Sequence, residues 1–434
     1  MRKKLLITAT LFCVSMQNPA LAQQQNSYME LGDFMKIVYK KNPSILAARE
    51  ELEETKELYP QARSGWLPNI NGEASIYATD IESSNFSEGT GATTKDITLS
   101  VDQPIWRGGR TFAETAQARK LIHAGRAVLR QAEQDIFLQT ASIYMNLLRD
   151  KELLDLRIRN EKVLMKELKA AWERMDIGDI TDTDVQQAKA RLSRAKTERI
   201  EAQRNYDISK AEFEEIVGVN PPEKLRIPYM RFDIPSEISE MIRIAQEQNP
   251  EILMAHYEKE AADHGADATF RELLPQISAF ASYNKQYDPQ PGIVESSETE
   301  TIGLRARISF YSGGATRSRI REAKRNAKRH DYEIQEMRRQ VRQEVISNWR
   351  SYETAKQRTE NTKQEIDAAE KALTGVREEA RLGQRTVLDI LDADKEVIDA
   401  KTSLANARRD EIITKFALAN SLGMLTADRL INAQ

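Results

Sequence analysis

Very little in this sequence could carry covalent chemistry. Its 434 residues include one cysteine, Cys13, and four histidines. Cys13 lies in an amino-terminal segment that reads as a secretory signal. Arg2, Lys3 and Lys4 open it, an apolar run from Leu5 to Met16 follows, and Ala20-Leu21-Ala22 precedes Gln23. The run is too short to span a bilayer as a helix, which argues against an uncleaved anchor. Val14 follows Cys13 inside that run, which argues against lipid attachment there. With residues 1–22 removed, no disulfide framework and no thiol chemistry remain. His123, His256, His264 and His330 are scattered, and none belongs to a His-Glu-x-x-His pattern. His256 and His264 flank Glu260 at eight residues' separation, a spacing that suits a surface stripe better than a metal site. No Gly-x-x-x-x-Gly-Lys-Ser/Thr phosphate loop and no nucleophile elbow occur. The sequence therefore points to no enzyme, no cofactor and no metal centre.

Long apolar runs are also missing. Mean hydropathy is −0.60, and beyond the leader no segment approaches the ~20 apolar residues of a membrane helix. That excludes a bundle of transmembrane helices. It leaves open a transmembrane β-barrel, whose strands are only half apolar. Charge of one sign is missing too: the net value of −3 gives no electrostatic case for nucleic acid.

What the chain does have is duplication. Asn42-Pro43-Ser44-Ile45-Leu46 returns as Asn249-Pro250-Glu251-Ile252-Leu253, and Leu67-Pro68-Asn69-Ile70 as Leu274-Pro275-Gln276-Ile277, both offset by 207 residues. Gly108-Gly109 returns as Gly313-Gly314, Gly178 as Gly383 and Gly218 as Gly423, all offset by 205. Residues that break helices and form turns recur while the intervening residues differ, so one architectural unit is used twice. The expected layout is a first repeat over 23–218, a linker over 219–235 and a second repeat over 236–434.

Each unit reads as helix, strand, loop, strand, very long helix, turn, second helix. In the first, a helix is expected from about Tyr28 to Ser64. Strands are expected over 69–80 and 94–105, where Ile70, Ala74, Ile76 and Ala78, then Ile97, Leu99 and Val101, alternate with polar residues. The second unit repeats this over 275–287 and 299–310, although Phe280 interrupts the polar set. No proline falls within 109–175 or 314–380, so each reads as one helix, ~67 residues and roughly 100 Å long. Ile136, Ile143, Leu147, Leu154, Ile158, Met165 and Trp172 form a helix-packing stripe on the first of these. Return helices are expected over 182–217 and 387–422, where Leu391, Ile398, Ala405, Ile412 and Ala419 recur in sevens. Strands with one bare apolar face call for a barrel closed by several chains, apolar face to lipid and polar face to a lumen.

Two stretches give a family resemblance that covers essentially the whole mature chain. They are Gly178-Asp179-Ile180-Thr181-Asp182-Thr183-Asp184-Val185-Gln186-Gln187-Ala188 and Gly383-Gln384-Arg385-Thr386-Val387-Leu388-Asp389-Ile390-Leu391-Asp392-Ala393, with Ser421-Leu422-Gly423 downstream. The sequence resembles the TolC-like outer membrane factors. The resemblance implies a mainly α protein with a transmembrane β-barrel: a homotrimer whose twelve strands cross the outer membrane and whose helices continue as a coiled-coil periplasmic tunnel. It implies a passive exit duct for drug efflux or type I protein secretion. The implied partners are a periplasmic adaptor and an inner-membrane transporter, ABC-type or proton-driven. The competing class is a periplasmic adaptor or helical scaffold, which should show one hairpin flanked by β domains.

The same resemblance implies site roles. Asp389 and Asp392, three apart on one helix face, correspond to the periplasmic constriction and selectivity ring, where cation block is expected and like charges should raise pKa values. Thr183, Asp184 and Arg385 correspond to the closed-state gate network, but Ala380 stands where the family pattern has a gating tyrosine. Gly178, Thr181, Gly383 and Thr386 mark the tip where the adaptor would dock. From spacing alone, the glycines read as helix-terminating turns.

Overall fold

The computed structural model describes residues 30–81, 90–222, 224–228, 232–290 and 294–431. The signal segment and Cys13 lie outside these. Where one helix was expected over 28–64 there are three: α1 (Leu31–Lys41), α2 (Pro43–Lys56) and α3 (Leu58–Arg63). Pro43 has no N–H to continue α1, so the helix stops and restarts. Asn42 accepts hydrogen bonds from the N–H groups of Ser44 (2.9 Å) and Ile45 (3.4 Å), capping α2. Its amide then donates to the Ile216 carbonyl at 2.9 Å. The second half repeats the device. Asn249 caps α7 (Pro250–Phe270) after α6 (Ile238–Gln248), and its amide donates to the Ser421 carbonyl at 3.1 Å. The duplicated Asn-Pro pair thus opens one helix and clips the end of another.

The proline-free stretches form α4 (Arg110–Asp176) and α8 (Ala315–Arg381), each 67 residues. Their returning partners are α5 (Asp182–Val217) and α9 (Val387–Ser421), and a short α10 (Ala427–Ile431) follows. Among the described residues, no helix is long and apolar enough to cross a membrane. The principal core lies midway along the helical part, where α1, α4, α5 and α9 bring Phe34, Phe137, Tyr144, Phe213 and Phe416 together, all fully buried. There the Tyr144 hydroxyl donates to the Arg226 carbonyl at 2.7 Å, fastening the inter-repeat segment to α4. The helix-packing stripe is only partly buried. Leu147 and Leu154 face inward, but further down it is Leu164 and Ala171 that are covered. Met165 and Trp172, one residue round the helix, are exposed by 50% and 43% because α5 packs on the other side of α4.

Four strands form one antiparallel sheet in the order β1 (Asn69–Ile81), β2 (Thr90–Arg107), β3 (Gln276–Gln290), β4 (Val294–Arg307). The sheet joins the two repeats through β2 and β3, and it has two open edges. The pairings Ile70↔Val101, Leu99↔Tyr283 and Ala281↔Ile302 place the apolar residues of all four strands on one face. The other face carries a polar ladder in which the Asn284 amide donates to Asp96 (2.6 Å) and Thr98 (2.8 Å). Phe280 breaks the alternation for a local reason. It lies over Gly303, where an added Cβ would come within 2.9 Å of the ring, and the Arg305 guanidinium covers it at 4.5 Å.

Several strand ends differ from those expected: β2 and β4 begin earlier, at Thr90 and Val294 instead of 94 and 299, and β3 runs to Gln290 instead of 287. β4 stops at Arg307, not 310, while its counterpart β2 runs to Arg107. The last residues of β2 pair with β3. β4 is an edge strand, and Ile308 to Tyr311 have no ladder to join. Phe310 and Tyr311 are left 89% and 84% exposed.

Candidate functional site

The site has two parts, the sheet and the far ends of the helical hairpins. On the sheet, Ile70, Ile76, Ile302 and Leu304 are exposed by 64–88%. Soluble monomers rarely leave a contiguous apolar face of this kind bare; such faces mark contact with a membrane or a partner. Along β2 the apolar band runs from Ile97 to Trp106. Nine steps of ~3.3 Å, tilted by about 40°, span roughly 23 Å, close to the ~25 Å apolar band of an outer-membrane barrel. Lys285 and Glu298 pair at 2.6 Å beside Tyr287 at the outer end, and Trp106 closes the inner end.

The two hairpin tips are copies in backbone and in capping. Gly178 and Gly383 hold φ of 78° and 77°, the left-handed conformation that a side chain disfavours. In each, the glycine N–H bonds back to the ending helix: Gly178 to the Met175 carbonyl at 2.9 Å, Gly383 to the Ala380 carbonyl at 3.0 Å. Thr181 and Thr386 are the N-caps of α5 and α9, and Asp184 and Asp389 complete reciprocal capping boxes. Asp389 accepts from the Thr386 N–H and hydroxyl, both at 2.8 Å. Asp184 accepts from the same groups of Thr181 at 3.0 and 2.8 Å. The residues singled out as a docking tip are therefore also what terminates and starts the helices.

The capping changes the electrostatic expectation. Asp389 was expected to titrate high in a ring of like charges. Within one protomer its carboxyl is held below the usual carboxylate range, first by the Thr386 N–H, then by the Thr386 hydroxyl, with Arg385 adding to it. Asp184 is depressed likewise, by the Thr181 hydroxyl and then the Thr181 N–H. Asp392 has a different partner. Arg191 of the other hairpin donates to it at 2.6 Å, on the rim of a cleft of about 610 Å³ between α4, α5 and α9. Nothing in the local sequence signals that pair, whose members are 201 residues apart.

The residues expected at the gate are not brought together within the protomer. Arg385 binds Glu379 at 2.8 Å on its own hairpin. Asp184 serves its cap, and Thr183 is exposed with no side-chain hydrogen bond among the described residues. Ala380 contributes only its carbonyl to the turn. The first tip is braced by Arg174 and Asp179 at 2.6 Å. Arg174 and Glu379 are equivalent under the 205-residue offset, so each turn carries one brace with the charges reversed. Aligning the halves exposes only the Arg174/Glu379 exchange, since Asp179 aligns with Gln384 and Arg385 with Ile180.

The scattered histidines partly converge. His123 stacks on Tyr257 at 5.1 Å, and His256 of the same helix as Tyr257 lies 3.8 Å from Glu260, which Lys120 binds at 2.9 Å. No group of described His, Cys, Asp and Glu residues has the arrangement of a metal site.

The outer membrane efflux protein family matches residues 36–219 and 241–424, one match per repeat. The outer membrane efflux protein BepC of Brucella suis is 30% identical over 90% of this chain and 85% of its own. The outer membrane protein TolC of Escherichia coli is 23% identical over 90% of this chain and 81% of its own. Among solved structures, the Vibrio cholerae outer membrane protein VceC superposes with a TM-score of 0.75 at 19% identity, covering 91% of this chain and 96% of its own. Two strand pairs in a duplicated helical frame are not the single hairpin of an adaptor, and the chain belongs to the outer membrane efflux protein family, as an outer membrane export channel with a long helical periplasmic part.

Proposed function

We propose that three copies of this chain form the exit duct of a tripartite export machine, carrying cargo passively from an inner-membrane transporter across the periplasm and outer membrane. The observation that carries this reading is the sheet: four strands with one bare apolar face, one polar face and two open edges, continuous with ~100 Å helices. Three such sheets joined edge to edge leave no open strand. The tips at Gly178, Thr181, Gly383 and Thr386 would meet a periplasmic adaptor, and an ABC-type or proton-driven transporter supplies the energy. Cargo is set by that transporter, so a deletion strain is to be assayed both for drug sensitivity and for loss of a secreted protein.

Asp389 and Asp392 are proposed to line the periplasmic constriction, and Thr183, Asp184 and Arg385 to link neighbouring hairpins when it is shut. The position of Asp392 at the rim of the inter-hairpin cleft supports this, as does the exposure of Arg385 and Thr183. In planar-bilayer recordings, Asp389→Ala with Asp392→Ala should abolish block by multivalent cations, and Arg385→Ser should raise conductance. Unchanged block would remove the aspartates from the constriction.

A further inference from the structure

The second repeat is bare wherever the first is covered by the second. A Cβ on Gly108 would meet Leu274 at 2.6 Å and the Arg271 carbonyl at 3.0 Å, yet one on its counterpart Gly313 would meet nothing within 4 Å. The four upper helical segments lie in the order α2 with α3, then α4, α7 and α8. Two lateral edges of this layer are therefore open. On α2 and at its junction with α3, Glu50, Glu53 and Glu57 are exposed along one flank, beside the face that buries Ile45 and Leu52 against the layer. On α8, Arg321, Arg325 and Lys328 are exposed along the flank beside the face that buries Ile320, Ala327 and Ile334. None of those three bases has an ion-pair partner among the described residues, and of the acids only Glu53 does, Lys56 of its own helix.

The contact between α4 and α7 inside the protomer shows how these edges would meet. There Lys120 binds Glu260 at 2.9 Å and His123 stacks on Tyr257 at 5.1 Å. Carried through the 205- and 207-residue offsets, Lys120 and Glu260 become Arg325 and Glu53, and His123 and Tyr257 become Lys328 and Glu50. One turn towards the sheet, Arg321 falls opposite Glu57. Duplication thus superposes a basic edge on an acidic one, in register.

We propose that the α8 edge of one copy seats on the α2–α3 edge of a second copy in the arrangement that α4 and α7 adopt within the chain, with Arg321, Arg325 and Lys328 meeting Glu57, Glu53 and Glu50. This rests on the closed-tube reading above and names the electrostatic contact that selects the head-to-tail mate. Three such contacts close a ring of three copies, and the charges forbid two like edges from meeting.

Because Cys13 is the chain's one cysteine, Glu53→Cys with Arg325→Cys can be bridged by a short bis-maleimide in outer membranes. Covalent dimers and trimers are expected, whereas Lys120→Cys with Glu260→Cys should bridge within a single chain. Separately, reversing Glu50, Glu53 and Glu57 to Lys should lower the oligomer fraction at least about tenfold, and adding Arg321, Arg325 and Lys328 to Glu should restore it. An oligomeric wild type without bridging, and with no effect of reversal, overturns the interface while leaving the duct intact. A monomeric wild type overturns both. Bridging only to a different protein would give this edge to that partner and also overturn it.

Discussion

Helices α4 and α8 have the same length and the same place in their repeats, yet they differ in how much of them is covered. Eighteen residues of α4 are buried, against ten of α8. The first helix has α2 and α3 on one side and α7 on the other, while α8 has α7 on one side and no upper helix of the chain on the other. The difference lies in position and not in kind. In a chain made of two like units placed side by side, the outer flank of each unit can be filled only by another copy. The bareness of α8, the early end of β4 and the empty space around Gly313 are one fact seen at three heights.

The comparison can be broken most forcefully in the core. Phe137→Ala on α4 removes a fully buried ring and should lower stability by about 3–5 kcal/mol. Ile334→Ala on α8, at 7% exposure, should fall at the low end for such truncations, about 2 kcal/mol. Urea unfolding of detergent-dissociated monomer measures both, and equal losses would mean that the two helices are equally supported. A smaller contrast comes from the left-handed glycines. Both Gly108→Ala and Gly313→Ala carry a backbone penalty of roughly 1–2 kcal/mol. Only Gly108→Ala adds a clash in the monomer, against Leu274. The gap in thermal midpoint between the two should appear in monomers and shrink once the chains are assembled.

The smallest effects belong to the tips, where the repeats agree. Thr181→Ala and Thr386→Ala should each raise local opening about five-fold, the effect of a typical lost cap, as read by amide exchange at the start of α5 and α9. The caps also fix a pH dependence. Asp184 and Asp389 titrate lower when folded than when unfolded. Their contribution is therefore complete above about pH 4 and is lost as pH falls through the depressed folded values. Protection of both tips, corrected for intrinsic exchange, should fall together in that acidic window. A tip that instead loosened near neutral pH would show that repulsion in a carboxylate ring dominates the cap.

The long helices, the two turns and the apolar face of the sheet were legible because each depends on residues close in sequence: no proline over 67 positions, a glycine where the chain reverses, alternation along a strand. The break at Asn42-Pro43 was legible in principle, since the pair was recognised as duplicated but not read as a helix stop. Arg191 could not be found as the partner of Asp392, because a pair of residues 201 apart leaves no spacing to read. The cap on Asp389 went unread for another reason. Thr386 and Asp389 spell a capping box in the sequence, but the expectation came from the neighbouring chains, and the nearest donors act first.

By itself, then, the sequence determined that this chain is two copies of one unit, in what order each unit folds, and which face of each strand is apolar. Periodicity and turn chemistry are local, and they survive without knowledge of the fold. Only the tertiary structure decided which copy is covered and which is bare. It also decided that Asp389 is occupied by its own helix and Asp392 by the other hairpin. Those outcomes depend on which surfaces meet, and two units of like pattern do not announce which of their flanks will be turned inward.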